Sequence, residues 1–286
     1  KQAGDRLQLL QDRFDGAVLF KPPMPPAAQT TEWAVIDPSR EQHVMLQRLV
    51  EGIHQGAAAL NETGGTDLVG TSWLTKELLL QDPGALGRLR GMLRAAQDEF
   101  RLCGGGPAVV QHGLLALHLA AASVEVCLVI GPADAHKVLS DAPVDGLPWV
   151  RSLLEAPPSA AKSPQVLHLL ALLGRAPAAS RVLVFVDTRA TARRLCDLLR
   201  AEPSVAGRFS PDIVVGHGGA DGMDWFGGQD AALAAFAEGE TRLLVCTSVL
   251  EEGLDVAACD LVVRFQGVGS LISLVQSRGR SRKQHS

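Results

Sequence analysis

The sequence has no tyrosine, and aromatic residues make up only 4% of it, as eight phenylalanines and four tryptophans. Proteins that stack successive bases on interleaved aromatics need more of them, so recognition by stacking is disfavoured. A basic excess is missing too, because the formal net charge is −4. Residues 1–150 carry 12 Lys+Arg against 17 Asp+Glu, and residues 151–286 carry 15 against 14, so any site for a polyanion must be local. The five cysteines (Cys103, Cys127, Cys196, Cys246, Cys259) are odd in number and form no CxxC pair. They predict buried thiols in a reducing compartment and argue against structural zinc. No uninterrupted apolar run reaches the roughly 18 residues of a membrane span. The most apolar stretch, Leu114 to Ile130, is broken by His118, Ser123 and Glu125. With no signal-peptide pattern at the amino terminus, the expectation is a soluble protein of the cytoplasm or nucleus with no membrane partner.

What is present is length and apolar content. The 286 residues, 47% of them hydrophobic and 20% charged, suffice for about two domains with sizeable cores. Lys1 to Pro26 reads as a short amphipathic helix, a strand at Ala17 to Phe20, and a Lys-Pro-Pro-Met-Pro-Pro linker that can continue neither. From Asp37-Pro38, read as an N-cap followed by proline at the first helical position, Leu46, Leu49, Val50, Ile53, Ala57 and Leu60 recur at helical spacing. Further helices are predicted at Trp73 to Gln81, Ala85 to Leu102 and Val109 to Ile130. After the Pro143 to Pro158 region the pattern changes to short β-branched runs alternating with helical ones. Val182 to Val186, Ile213 to Val215, Leu243 to Cys246 and Leu261 to Phe265 are apolar on consecutive positions, as strands buried on both faces are. Helices are predicted near Val166 to Leu173, Ala190 to Arg200, Ala231 to Ala237 and Leu271 to Ser277. The expected organisation is a linker at 1–36, an α-helical domain at 37–140 and an α/β domain with a parallel sheet at 141–286.

Ligands of an open parallel sheet bind at the carboxyl ends of its strands. The residues there are small and polar: Asp187-Thr188-Arg189 after the first strand, Gly216-His217-Gly218-Gly219 after the second, Thr247-Ser248 after the third. Taken singly they are ordinary caps and turns; together on one edge they suit a phosphate backbone. Near the end, Arg278, Arg280, Arg282 and Lys283 place four cations within six residues. Alternate arginines broken by glycine make a poor helical face. Either they form a solvated basic tail, or they deliver guanidinium forks to phosphates.

The string Cys246-Thr-Ser-Val-Leu-Glu-Glu-Gly-Leu-Asp-Val256, then Cys259-Asp-Leu-Val-Val-Arg-Phe265 and Gln276-Ser-Arg-Gly-Arg280, resembles motifs V and VI of superfamily 2 helicases. Phe185-Val-Asp-Thr-Arg189 resembles motif IV, and Gly216-His-Gly218 motif IVa, of the branch containing Dicer and the RIG-I-like receptors. Ser163-Pro-Gln-Val166 resembles the start of that branch's second RecA-like domain. The resemblance covers residues 163–283. The helical region resembles the branch's insertion domain only in position and texture, including Pro-Pro-x-Pro before Trp33, and the wording leans towards Dicer.

The resemblance implies a RecA-like parallel sheet with flanking helices, a helicase C-terminal domain, joined to an α-helical insertion. It implies an RNA-dependent ATPase whose Thr188, Arg189, His217, Gly218, Thr247 and Ser248 contact one strand of double-stranded RNA. By the same resemblance, Glu252, Gly253 and Asp255 couple that contact to the nucleotide, and Gln276, Arg280 and Arg282 face its phosphates, with Arg280 as arginine finger. Arg282 lies one residue closer than the second arginine of DEAD-box relatives, which leaves its role open. No GxxxxGK[ST] loop is present, and Asp98-Glu99 lies in a helical pattern, where a DExH box would follow a strand. ATP with Mg²⁺ is therefore expected on a first RecA-like domain in cis, without which these residues should be inactive. A RIG-I-like sensor, a non-catalytic RecA-like scaffold and a DNA translocase remain alternatives.

Other candidates are weaker. His112 and His118 stand six apart, not the four that put two ligands on one helical face, and no metal site is expected. Ser248 has no His–Asp context for a nucleophile. Trp33, Trp73, Trp149 and Trp225 read as packing anchors, with Trp225 also a candidate for exposure near nucleic acid.

Overall fold

The computed structural model describes residues 36–64, 69–82, 84–102, 107–155, 158, 160–215, 229–247 and 259–265. The predicted elements at 1–20 and 271–277 lie outside them. Among the described residues six helices come first: α1 (Arg40–Gly64), α2 (Lys76–Gln81), α3 (Ala85–Leu102), α4 (Ala108–Val129), α5 (Pro132–Ser140) and α6 (Pro148–Leu154). Then follow α7 (Pro164–Arg175), β1 (Val182–Phe185), α8 (Arg189–Ala201), α9 (Pro203–Phe209), β2 (Asp212–Val214), α10 (Gln229–Glu238), β3 (Leu243–Cys246) and β4 (Leu261–Arg264).

Helix α1 starts later than the Asp37-Pro38 signal suggests. Ser39 is the capping residue: its Oγ accepts from the Gln42 N–H at 3.3 Å while Gln42 Oε1 accepts from the Ser39 N–H at 2.7 Å. This reciprocal box satisfies two backbone donors that no helix interior can serve. Gln42 is fully buried, and its amide nitrogen also donates to the carbonyls of Cys127 and Leu128 at 2.8 and 3.0 Å. One side chain thus starts α1 and fastens it to the end of α4.

Helix α4 is the hub of the helical layer, packing against α1, α3, α5 and α8. Among the described residues it is the one helix long and apolar enough to cross a membrane by length and composition. Two thirds of its most apolar window is buried inside the fold, as in the core helix of a globular protein. Close approach of α1 and α6 relies on glycine: a Cβ on Gly52 would lie 2.7 Å from Leu153, and one on Gly56 2.7 Å from the Trp149 ring. Helix α6, past residue 140, lies on α1 and α5.

Among the described residues the four strands form a parallel sheet, in the order β2-β3-β1-β4. Its two central strands are buried at every position. Alternation splits them between two cores. Val182, Val184, Leu243 and Val245 join the cluster that runs on through α8, α7 and the helical layer, while Leu183, Phe185, Leu244 and Cys246 pack with Ala232 and Phe236 of α10. A sheet covered on both faces needs apolar residues on both, which is why these strands read as continuous runs. Helices α5, α6 and α9 have no counterpart in the sequence reading.

Candidate functional site

Parallel pairing brings the carboxyl ends of the strands to one edge. Phe185 of β1 stands opposite Cys246 of β3 and Arg264 of β4, and Val214 of β2 opposite Cys246. The ladders run one residue further, through Val186 N–H to Cys246 O (2.9 Å), Thr247 N–H to Val214 O (3.3 Å) and Phe265 N–H to Phe185 O (2.9 Å). The loop after β1 and Thr247 after β3 therefore share that edge.

Three of the residues expected at the site are described. Thr247 is 6% exposed at the end of β3, so its backbone is held in the ladder. Arg189 opens α8 and is half-buried. Thr188 is the N-cap of α8, its Oγ1 accepting from the Thr191 N–H at 3.4 Å. Its hydroxyl proton is directed at Glu125 Oε1, 2.7 Å away on α4. A hydroxyl has one proton, and here a carboxylate accepts it. His217, Gly218, Ser248, Glu252, Gly253, Asp255, Gln276, Arg280 and Arg282 lie outside the described residues, so no fit to a bound nucleotide is drawn from them.

Glu125 is the centre of the described part of the edge. It is 3% exposed, and its Oε1 accepts from both Thr188 and Thr191, the latter at 2.8 Å. Its Oε2 is ion-paired with Arg90 of α3. Burial pushes the Arg90 pKa down, opposed by the charge of Asp187 in the β1–α8 loop and reinforced by Arg94. The sequence did carry a signal for this cluster: between Arg101 and Asp134, Glu125 is the one Asp, Glu, Lys or Arg. A lone carboxylate in so apolar a helix requires a buried partner.

The weaker candidates have structural homes. Asp98 and Glu99 are exposed on α3, and Trp149 is buried while Trp73 is half-buried. Trp73 lines an open surface pocket of about 460 Å³ with Leu78, Arg88, Gly91 and Met92, the Arg88 guanidinium 5.4 Å from its ring centre. Cys127, Cys196, Cys246 and Cys259 are buried. Among the described residues no group of three His, Cys, Asp or Glu side chains could hold a metal ion.

Comparison with known proteins decides the family of the α/β part. The family model for the helicase conserved C-terminal domain matches residues 164–284. These residues are a helicase C-terminal domain. Dicer-like protein 2 of Cryphonectria parasitica is 38% identical over 113 residues, covering 37% of this chain and 8% of the relative. The mouse ATP-dependent RNA helicase DHX58 is 38% identical over 109 residues (37% of this chain, 16% of the relative). The human antiviral innate immune response receptor RIG-I is 36% identical over 104 residues (35% and 11%). The helicase C-terminal domain is thus of the kind found in Dicer-like and RIG-I-like helicases, and the chain spans under a fifth of the length of these relatives. Its parallel sheet with flanking helices is the RecA-like fold that the motifs imply.

Proposed function

We propose that this chain supplies the second RecA-like half, with its helical insertion at 37–140, of an ATP-dependent double-stranded-RNA helicase or translocase in a Dicer-like endoribonuclease. The observation that carries the reading is the coincidence of the helicase C-terminal match over 164–284 with 38% identity to a Dicer-like protein. In this reading Thr188, Arg189, His217, Gly218, Thr247 and Ser248 lie along one RNA strand, with Thr188 also shaping the turn that presents Arg189. A-form RNA is recognised through phosphates, 2′-hydroxyls and shape, which calls for amides, hydroxyls and guanidinium groups and tolerates a chain without tyrosine. Glu252, Gly253 and Asp255 link the RNA edge to the interdomain cleft. Gln276, Arg280 and Arg282 face the phosphates of ATP, which a first RecA-like domain in cis holds with Mg²⁺. The nucleotide supplies the phosphoryl group whose transfer to water drives the cycle. The buried thiols suit a reducing location, cytoplasm or nucleus.

A RIG-I-like sensor is the second reading, favoured by the similar identity to DHX58 and RIG-I. Ribonuclease domains in the same polypeptide distinguish Dicer from it. The test of the half-enzyme is direct. Purified residues 1–286 should hydrolyse no ATP with or without duplex RNA, because an arginine finger cannot act without a phosphate-binding loop and metal ligands. Joining the ATP-binding domain in one polypeptide should produce RNA-stimulated turnover. Turnover by the chain alone, above a control preparation carrying Arg280→Ala, overturns the assignment.

A further inference from the structure

Glu125 is costly where it stands. A carboxylate 3% exposed on an apolar helix loses most of its hydration, and an ion pair seldom returns more than that loss. Adhesion between the helical layer and the α/β layer does not require it, since other bonds already join them. Ser163 Oγ donates to Val129 O at 2.9 Å, Ser163 N–H to Ile130 O at 3.1 Å, and Arg194 Nη2 to Lys137 O at 3.0 Å. Apolar packing between α4 and α8 does the rest. What Glu125 adds is aim. Its single Oε1 gathers the hydroxyls of Thr188 and Thr191, the two residues that define the first turn of α8. Arg90, held on its Oε2, is attracted in turn by Asp187, the residue before that turn. The first turn of α8 is therefore tied to α4 through Glu125, and Glu125 to α3 through Arg90.

We propose that Glu125 is a positioning residue: from the helical layer it sets the geometry of the Asp187–Thr191 turn and thereby the presentation of Arg189 to a phosphate-bearing ligand. The ligand half of this inference rests on the proposed double-stranded-RNA reading; the turn-ordering half does not. The helical layer then governs the sheet edge without touching the ligand. A glutamine at 125 keeps one carbonyl oxygen that can accept from both threonines but loses the ion pair. A leucine keeps the volume and loses every acceptor.

The experiment uses the 286-residue chain and compares Glu125→Gln with Glu125→Leu, reading amide exchange by NMR and binding of a blunt duplex RNA. Thr191 N–H and Ala192 N–H are the reporters, since they are bonded to Thr188 Oγ1 and Thr188 O. Losing hydrogen bonds to a charged group should speed their exchange by about tenfold or more in Glu125→Leu, relative to the slowest core amides of the same variant. Glu125→Gln should stay within about threefold of the native rate although its ion pair is gone. Duplex-RNA affinity should fall about fivefold or more in Glu125→Leu and change little in Glu125→Gln. A merely stabilising role predicts that all amides speed up together and that glutamine fails as leucine does; that result overturns the proposal. Faster exchange at 191 and 192 with unaltered RNA affinity overturns the link to the ligand. Absence of duplex binding by the native chain speaks against the proposed function instead, and the exchange comparison then decides the positioning role by itself. Should Glu125→Leu not fold, Thr191→Val, which removes the hydroxyl that donates to Glu125, and Thr191→Ser, which keeps it, test the same contact from the other side, valine expected to behave as leucine does at 125 and serine as glutamine does.

Discussion

Two thiols show how much folding changes the chemistry of a single residue. Cys127 on α4 is fully buried and Cys196 on α8 is 1% exposed, and burial pushes the pKa of both up to about 12. Both therefore stay protonated near neutral pH, whereas a nucleophile or a metal ligand needs the thiolate. The folded state holds the protonated form more tightly than the unfolded chain, whose thiols titrate near about 8.5. Stability from this source is complete below that pH and is lost as pH rises towards about 12, at roughly 1.4 kcal/mol per unit for each thiol. Urea unfolding at pH 8 and pH 10.5 should show the loss, and Cys127→Ala should make it shallower; an unchanged pH slope in that variant contradicts the assignment. Iodoacetamide at pH 8.5 should label neither residue until the chain unfolds.

Among helices, two glycines of like appearance in sequence should respond in opposite directions. Gly56 of α1 faces the Trp149 ring, and its missing Cβ is what lets α6 approach. Gly87 of α3 is exposed, with nothing within 4 Å of where its Cβ would stand. Alanine gains about 0.5–1 kcal/mol of helix propensity at either position. At Gly87 that gain is uncompensated, so Gly87→Ala should raise the melting temperature. At Gly56 overpacking of about 1–3 kcal/mol outweighs it, so Gly56→Ala should lower the melting temperature. Equal shifts in the two variants would mean that α1 and α6 are not in contact. Periodicity disclosed α1, α3, α4, α7 and α8 because each presents a long apolar stripe to a core. It missed α5, α6 and α9, of nine, seven and seven residues, because a helix of about two turns repeats its pattern too few times to stand out and forms only when packed.

For the whole molecule, the central expectation concerns Arg280 once the ATP-binding domain is present. If its guanidinium stabilises the transferring phosphoryl group, Arg280→Ala should cut RNA-stimulated turnover by about 10³-fold or more and leave RNA affinity nearly intact. Arg280→Lys should rescue poorly, because an ammonium lacks the planar fork that bridges two oxygens. A basic tail that only touches RNA predicts the reverse: normal turnover at saturating RNA, weaker binding, a shallower salt dependence and lysine as a good substitute. Normal maximal turnover in Arg280→Ala falsifies the finger.

The strands and most of the large helices were legible in the order of residues, because apolar period is a local property and each of those elements carries its own. The helicase motifs were legible for the same reason: consecutive residues at the end of one strand need no knowledge of the others. That α4 carries an unaccompanied glutamate was also plain from the order of residues. What it pairs with was not. Arg90 lies 35 positions before it and Thr188 63 after it, on elements joined only when α3, α4 and α8 pack together. Tertiary structure alone decided that the Thr188 hydroxyl meets Glu125. A hydroxyl is indifferent between acceptors until the fold brings one of them to 2.7 Å and closes out water.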